Sequence, residues 1–365
     1  MVMVLSLSLS ACGGGSDDEG SAAASDGDKI KVGVSMPTKS LQRWNQDGDN
    51  MKKELEAAGY EVDLQYAGDN EVPKQVQQLE DMISGGCKVL VIAAIEGDSL
   101  STPLEQAKEA GVPVIAYDRL IMNSDAVSYY ATFDNTLVGE LQGQYIVDQL
   151  DLENQDGPFN IELFTGDPGD NNVNFFFGGA MSKLQPYIDS GKLVVQSGET
   201  KQANAAIEGW SSEKSQARME NIISKVGYAP SGGVKLDAVL SSNDSVAQGI
   251  TQALLNAGFS EGEFPYLTGQ DCDVTSVKNM IKGLQSMSVF KDTRTLASKV
   301  VTMVDAILQG SEPDINDTET YDNDPSDDVK NIIPSFLCEP VFGDINNYKE
   351  LLIDSGYYTE EELES

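Results

Sequence analysis

The 365-residue chain contains no histidine. It therefore lacks the commonest general base and the commonest zinc ligand. It is also short of positive charge: 24 Lys and Arg stand against 59 Asp and Glu, a formal net charge of −35. Nucleic acid and anionic lipid both need a basic surface, so neither is expected as a partner. Only four cysteines occur, Cys12, Cys87, Cys272 and Cys338, and no two form a CxxC, which sets aside zinc and redox motifs. Cys87, Cys272 and Cys338 read as small buried residues rather than as disulfide partners. No GxGxxG follows the first predicted strand, no GxxxxGK[ST] occurs anywhere, and GxSxG is absent. Nucleotide binding and serine hydrolysis are disfavoured accordingly. No internal apolar run is long enough to cross a bilayer.

What is present is organised around Val112–Arg119, VPVIAYDR. A short apolar run of this kind suits a strand buried on both faces of a parallel sheet. It stops on an acid and a base, Asp118 and Arg119. The C-terminal edge of such a sheet is where open α/β folds bind ligands. The chain repeats this layout. Strands are predicted at 29–36, 61–67, 88–95, 112–119 and 129–133, with helices at 45–58, 72–84, 100–110 and 136–150 between and after them. The stretch 37–44, PTKSLQRW, reads as a loop. A second series follows: strands at 159–164, 192–197, 236–241, 265–269 and 287–290, and helices at 174–187, 213–226, from after Asp244 to 257, 274–282 and 295–309. Two successive β-α series predict an α/β protein with two doubly wound parallel-sheet lobes.

The ends of the chain differ from this body. Residues 1–12 form an apolar and serine run like the core of a signal peptide, closing on Leu9-Ser10-Ala11-Cys12, which resembles a bacterial lipobox with Cys12 as the lipidation site. No Lys or Arg precedes the run, a departure from that pattern. Residues 13–28 are Gly, Ser, Ala and acid, and are expected to be a disordered tether. The acid-rich segment 314–328 is expected to be a solvated surface loop; it lacks the Gly and terminal Glu of a calcium-binding EF loop. Residues 331–342 read as a last strand, and 345–365 as an acidic helical tail.

The residues at the strand ends are amides, carboxylates and cations: Lys39, Gln42 and Arg43; Asp118 and Arg119; Asp170, Asn171 and Asn172; Asn243 and Asp244; Gln270 and Asp271; Lys291. Trp44 and Trp210, the two tryptophans of the chain, join them. Sugar hydroxyls need donors and acceptors, and the C–H faces of a pyranose stack on indole rings. Any one of these polar residues, taken alone, reads better as a loop cap or a surface ion pair. Their recurrence at successive strand ends points to a sugar site. Asp118 and Asp271 could form a glycosidase pair, but each has the plainer role of accepting from a hydroxyl. With no histidine, no nucleophile motif and no metal cluster, an enzyme is not expected.

From about residue 30 to 360 the chain resembles the bacterial sugar-binding proteins of ABC importers, and is most similar to their multiple-sugar-binding and xylose-binding branch. The stretches that carry the resemblance are MPTKSLQRW, QQLEDMISGGCKVLVIA, VIAYDRLI, YYATFDN, the DNN after Phe164, SSND, TGQD and VFKDTR. The resemblance implies a type I periplasmic binding protein fold: residues 29–134 with 292–330 in the N-terminal lobe, 135–290 with 331–344 in the C-terminal lobe, and a multi-strand hinge between them. It implies a monosaccharide held in the interlobe cleft, with no cofactor. Trp44 and Trp210 would stack on the two sugar faces, and Lys39 and Arg43 would donate. Asp118 and Arg119 would form the central pair. Asn172, Asn243 and Asp271 would contribute from the second lobe, and Lys291 from the hinge. The implied protein is a monomer outside the cytoplasm, lipid-anchored, that delivers an aldose to an ABC permease. A sensor that presents its closed form to a chemoreceptor or sensor kinase is the alternative.

Overall fold

The computed structural model describes residues 29–326 and 329–364, so Cys12 and the tether 13–28 lie outside the described residues. In the first lobe the chain runs β1 (Lys31–Met36), α1 (Gln42–Ala57), β2 (Glu61–Tyr66), α2 (Val72–Ser84), β3 (Val89–Ile92), α3 (Ser101–Glu109), β4 (Val114–Tyr117) and β5 (Val127–Phe133). In the second it runs α4 (Asn135–Gln149), β6 (Phe159–Phe164), α5 (Asn172–Asp189), β7 (Leu193–Val195), α6 (Gln202–Ala205), α7 (Ser212–Val226), β8 (Ala238–Ser241), α8 (Asp244–Asn256), β9 (Tyr266–Leu267), α9 (Val274–Ile281) and β10 (Met287–Phe290). Then come α10 (Thr293–Leu308), β11 (Ser335–Cys338), β12 (Val341–Asp344) and α11 (Glu360–Glu364).

The first sheet has the order β11-β5-β4-β3-β1-β2, with every pair parallel. Its central strands β3 (VLVI) and β4 (VIAY) are buried at every residue, as an apolar run between two helical layers requires. One face packs on Trp44, Met51 and Leu55 of α1 and on Leu296, Val300 and Val304 of α10. The other packs on Leu79 and Met82 of α2 and Leu104 of α3. The second sheet has the parallel order β7-β6-β8-β9. Val147, Phe177 and Leu184 cover one face; Met219, Ile250 and Leu254 cover the other. β10 and β12 form an antiparallel ribbon, which the bridge from Gln270 to Val289 ties to the β9 side.

The chain crosses between lobes three times, at Asp134, at Lys291–Asp292 and at Glu339–Pro340. The last crossing corrects the expected partition. Residues 331–342 are not one strand, and 331–344 do not lie wholly in the C-terminal lobe: β11 completes the first sheet beside β5, and β12 completes the ribbon of the second lobe. Pro340 interrupts any single ladder through this stretch. The acid-rich segment is also more than a solvated loop, because Tyr321 and Asn323 are fully buried, Asn323 donating to the carbonyls of Ile121 and Ser124. The terminal segment packs against the second lobe, with Leu352, Tyr358 and Leu363 buried beside Val277, Met280 and Phe290. Lastly, 37–44 is not wholly a loop, since α1 already begins at Gln42.

Candidate functional site

In each sheet the strand order reverses once, between β1 and β3 in the first lobe and between β6 and β8 in the second. Loops at such reversals diverge and leave a crevice at the strands' C-terminal ends. The two crevices face each other. The residues lining the interlobe cleft include Arg43, Trp44, Asp118, Arg119, Asp170, Asn172, Phe176, Trp210, Asn243, Gln270, Asp271 and Lys291.

At its centre Arg43, in the first turn of α1, holds three carboxylates. Its Nε donates to Asp47 at 3.0 Å, one helical turn on; its Nη2 bonds Asp118; its Nη1 reaches Asp271 of the other lobe at 3.1 Å. Lys291 Nζ meets the same Asp271 oxygen at 2.9 Å. Burial would raise the Asp271 carboxyl, but Lys291 and Arg43 overcome it and hold it below its ordinary range. Burial likewise works against the Arg43 charge, and Asp118, Asp47 and Asp271 more than restore it. Asp47 is fully buried; desolvation pushes it up to about 6 despite Arg43.

A second set crosses the cleft beside it. Arg119 Nε lies 3.0 Å from Asp170 of the second lobe, and its Nη1 donates to the carbonyls of Ala94 and Ile95. Burial raises the Asp170 carboxyl above its ordinary range, against the pull of Arg119. The Asp118 carbonyl accepts from Tyr130, Thr132 and, across the cleft, Asn172 Nδ2 at 2.7 Å. Asp118 and Asp271 both adopt left-handed backbone, at φ 58° and 96°. Non-glycine residues rarely adopt it, and such strain gathers at ligand sites.

Trp44 and Trp210 bound the cleft, both buried. The Arg119 guanidinium lies 5.0 Å from the Trp44 ring centre. Trp210 ends a single helical turn, Glu208–Trp210, itself at φ 54°, with Phe176 of α5 edge-on at 6.3 Å. It fits only because residue 166 is glycine: a Cβ there would lie 2.0 Å from the indole.

Nine of the ten residues expected in the site line this cleft. Lys39 does not. It is exposed and sits over the Tyr66 ring at 4.8 Å, because the turn before α1 is closed by Thr38 and Ser40 on Asp69 and carries residue 39 outward. Asn243 has a second task, since its Oδ1 caps α8 by accepting from the Val246 N–H. Of the DNN triplet both Asp170 and Asn172 line the cleft, while Asn171 accepts from Asn174 outside it. Phe176, Ser245 and Asp273 escaped the sequence reading. Phe176 is one helical turn beyond Asn172, a spacing that could have found it; Asp273 follows a strand end by more residues than a strand-end search covers. Gln42 bonds Tyr358 and the Val274 N–H. Among the described residues no group of His, Cys, Asp or Glu is arranged to hold a metal ion.

So the arrangement offers one molecule three cations, several carboxylates, three amides and two indoles in a narrow space between lobes. That chemistry suits a neutral polyol with apolar faces. Comparison with known proteins agrees. Residues 32–312 match the family described as the periplasmic binding protein domain. The chain is 52% identical over 335 residues to the multiple sugar-binding periplasmic protein SbpA of Azospirillum brasilense, covering 91% of each. It is 35% identical over 335 residues to the D-xylose-binding periplasmic protein of Escherichia coli K12, covering 92% of this chain and 93% of that one. An ABC transporter solute binding protein from Clostridium phytofermentans, solved with bound β-D-glucose, superposes with a TM-score of 0.86 at 63% identity, covering 91% of this chain and 99% of that one.

Proposed function

The chain belongs to the periplasmic binding protein family, and we propose that it captures a monosaccharide, D-glucose or D-xylose in the first instance, between its lobes and delivers it to an ABC permease. The observation that carries this reading is the set of cation–carboxylate pairs spanning the cleft between Trp44 and Trp210. The solved relative at 63% identity holds β-D-glucose, and the named relatives bind sugars outside the cytoplasm. The family is one of binding proteins, and nothing in the constellation calls for turnover.

The residues act as a closing lock. In the present form the inner space is narrow, about 40 Å³, because side chains of opposite charge reach across it. A sugar entering the opened cleft takes over these bonds. Asp118 and Asp271 accept from its hydroxyls, Arg43, Arg119 and Lys291 donate to them, and the indoles cover its faces. Asn172 and Asn243 complete the second lobe's share as the hinge at Asp134, Lys291–Asp292 and Glu339–Pro340 shuts. Every charge brought into the dry cleft must keep a partner, or affinity falls. The closed form is what the permease would recognise. We further propose that Cys12 carries a lipid that holds the protein at the membrane; a Cys12→Ser chain would then fail to incorporate labelled fatty acid.

Isothermal titration with D-glucose and D-xylose tests the site. The wild type should bind at least one of them. Asp118→Ala and Trp44→Ala should each weaken binding about 10- to 100-fold, or roughly 1.4–2.7 kcal/mol, the size of one lost charge-assisted contact for Asp118 and of the lost stacking face for Trp44. Lys39→Ala should bind like the wild type. Equal affinity in the wild type and the Asp118 variant would refute the assignment.

A further inference from the structure

Outside the narrow inner cleft the interlobe opening widens into a vestibule of about 550 Å³. That is within the ~300–1,000 Å³ typical of small-molecule sites. Both lobes wall it: Thr38, Asp69 and Asn70 come from the first, Glu208, Ser212 and Gln248 from the second. The two spaces meet at a neck, because Leu41, Trp44, Arg119, Trp210, Ser245 and Asp273 line both.

The neck is unsatisfied in a telling way. Trp210 Nε1, a donor, and Asp273 Oδ1, an acceptor, are each buried without a hydrogen-bond partner, on side chains 5% and 8% exposed. An orphaned buried polar atom costs ~1–3 kcal/mol. A hydroxyl-bearing ligand lying through the neck can serve both, because hydroxyls accept as well as donate. The vestibule beyond has the groups that bind sugars. Asp69 is held ready by the hydroxyls of Thr38 and Ser40, which keep its carboxyl below the ordinary range. Gln248 and Asn70 add amides, and the Trp210 ring adds an apolar wall. Charge selects further. Asp69, Asp167, Glu208 and Glu213 face Arg119 and Lys214 only, and Lys214 is paired with Glu208 at 2.8 Å. An anionic ligand would be repelled.

We propose that the vestibule is a second sugar subsite, so that the protein takes an uncharged disaccharide with one ring in the inner cleft, the other in the vestibule, and the link between them at the Trp210–Asp273 neck. The proposal rests on the sugar-binding reading above, since the first ring fills that same site.

The test is calorimetric titration of the full chain with D-glucose, cellobiose, gentiobiose, maltose and isomaltose. Two variants accompany the wild type: Ser212→Trp, which fills the vestibule, and Gln248→Ala, which strips a vestibule amide without adding bulk. A melt confirms that each is folded. The expected result is that at least one disaccharide binds within about tenfold of glucose, that Ser212→Trp weakens it by about tenfold or more, and that glucose changes by less than about threefold in both variants. Binding of glucose with none of the four disaccharides would overturn the subsite and leave the monosaccharide reading standing. So would disaccharide and glucose affinities that fall together in the variants. If neither glucose nor any disaccharide binds, the sugar-binding reading falls and the subsite with it.

Discussion

Arg43 joins carboxylates from α1, from the end of β4 and from the second lobe on one guanidinium, and this fixes what its loss must cost. Arg43→Met would leave Asp47, Asp118 and Asp271 buried together with Lys291 alone against them. Breaking a buried pair from one side costs about 3–5 kcal/mol, so urea unfolding should show a loss of that size. A loss below about 1 kcal/mol would mean the cluster is solvated. Asp47 makes a separate prediction. Its folded value of about 6 lies above the ~3.9 of an unfolded aspartate. The folded state therefore binds this proton more tightly, and the group's contribution to stability is full below about pH 4 and is lost as pH rises through 6. A carboxyl that titrates about two pH units higher when folded gives up roughly 3 kcal/mol across that range. The difference in unfolding free energy between wild type and Asp47→Asn should follow that fall between pH 4 and 7; a flat difference would contradict it. At this scale much of the site was legible in the sequence, because the C-terminal ends of the buried strands open on the cleft and most polar residues there line it. Lys39 was not legible: whether a loop residue turns in or out depends on a turn closed from 30 residues away, by Asp69.

At the scale of elements, α4 and α5 approach so closely that glycine is required on both. A Cβ on Gly139 would lie 2.0 Å from the Phe176 carbonyl, and one on Gly179 would lie 2.3 Å from that of Thr136. Because α5 carries Asn172 and Phe176 into the cleft, this packing positions the site. Gly139→Ala should destabilise by about 1–3 kcal/mol and weaken glucose binding by moving α5. Gly178→Ala, one residue from Gly179 but facing open space, should instead stabilise by roughly 0.5–1 kcal/mol. Thermal unfolding and titration of the two variants side by side check both signs; a Gly139 variant as stable as the wild type would disprove the close contact. Strands such as β3 and β4 were readable because full burial leaves no alternative to an apolar run. The division of 331–342 between β11 and β12 was not, because a strand exchange between sheets leaves no periodic mark; only Pro340 hints at the break.

At the scale of the molecule, two lobes tied by three crossings each keep their own core. Residues far apart in the chain, such as Arg43 and Asp271, become partners only when the lobes meet. Linear sequence therefore shows the two β-α series but not which charges pair between them. The strong net negative charge bears on solubility rather than on the fold, and in the cleft three cations are matched by carboxylates that pair with them. Both tryptophans of the chain line that cleft, so indole emission reports on it with no other tryptophan in the background. The decisive measurement is a fluorescence titration of the folded chain with D-glucose and D-xylose. A saturable change in emission with at least one of them, absent in Arg43→Met and in Asp271→Asn, is the result expected of a sugar seated between the lobes. No saturable change with either sugar, in a protein shown by its melt to be folded, would contradict the account at its centre.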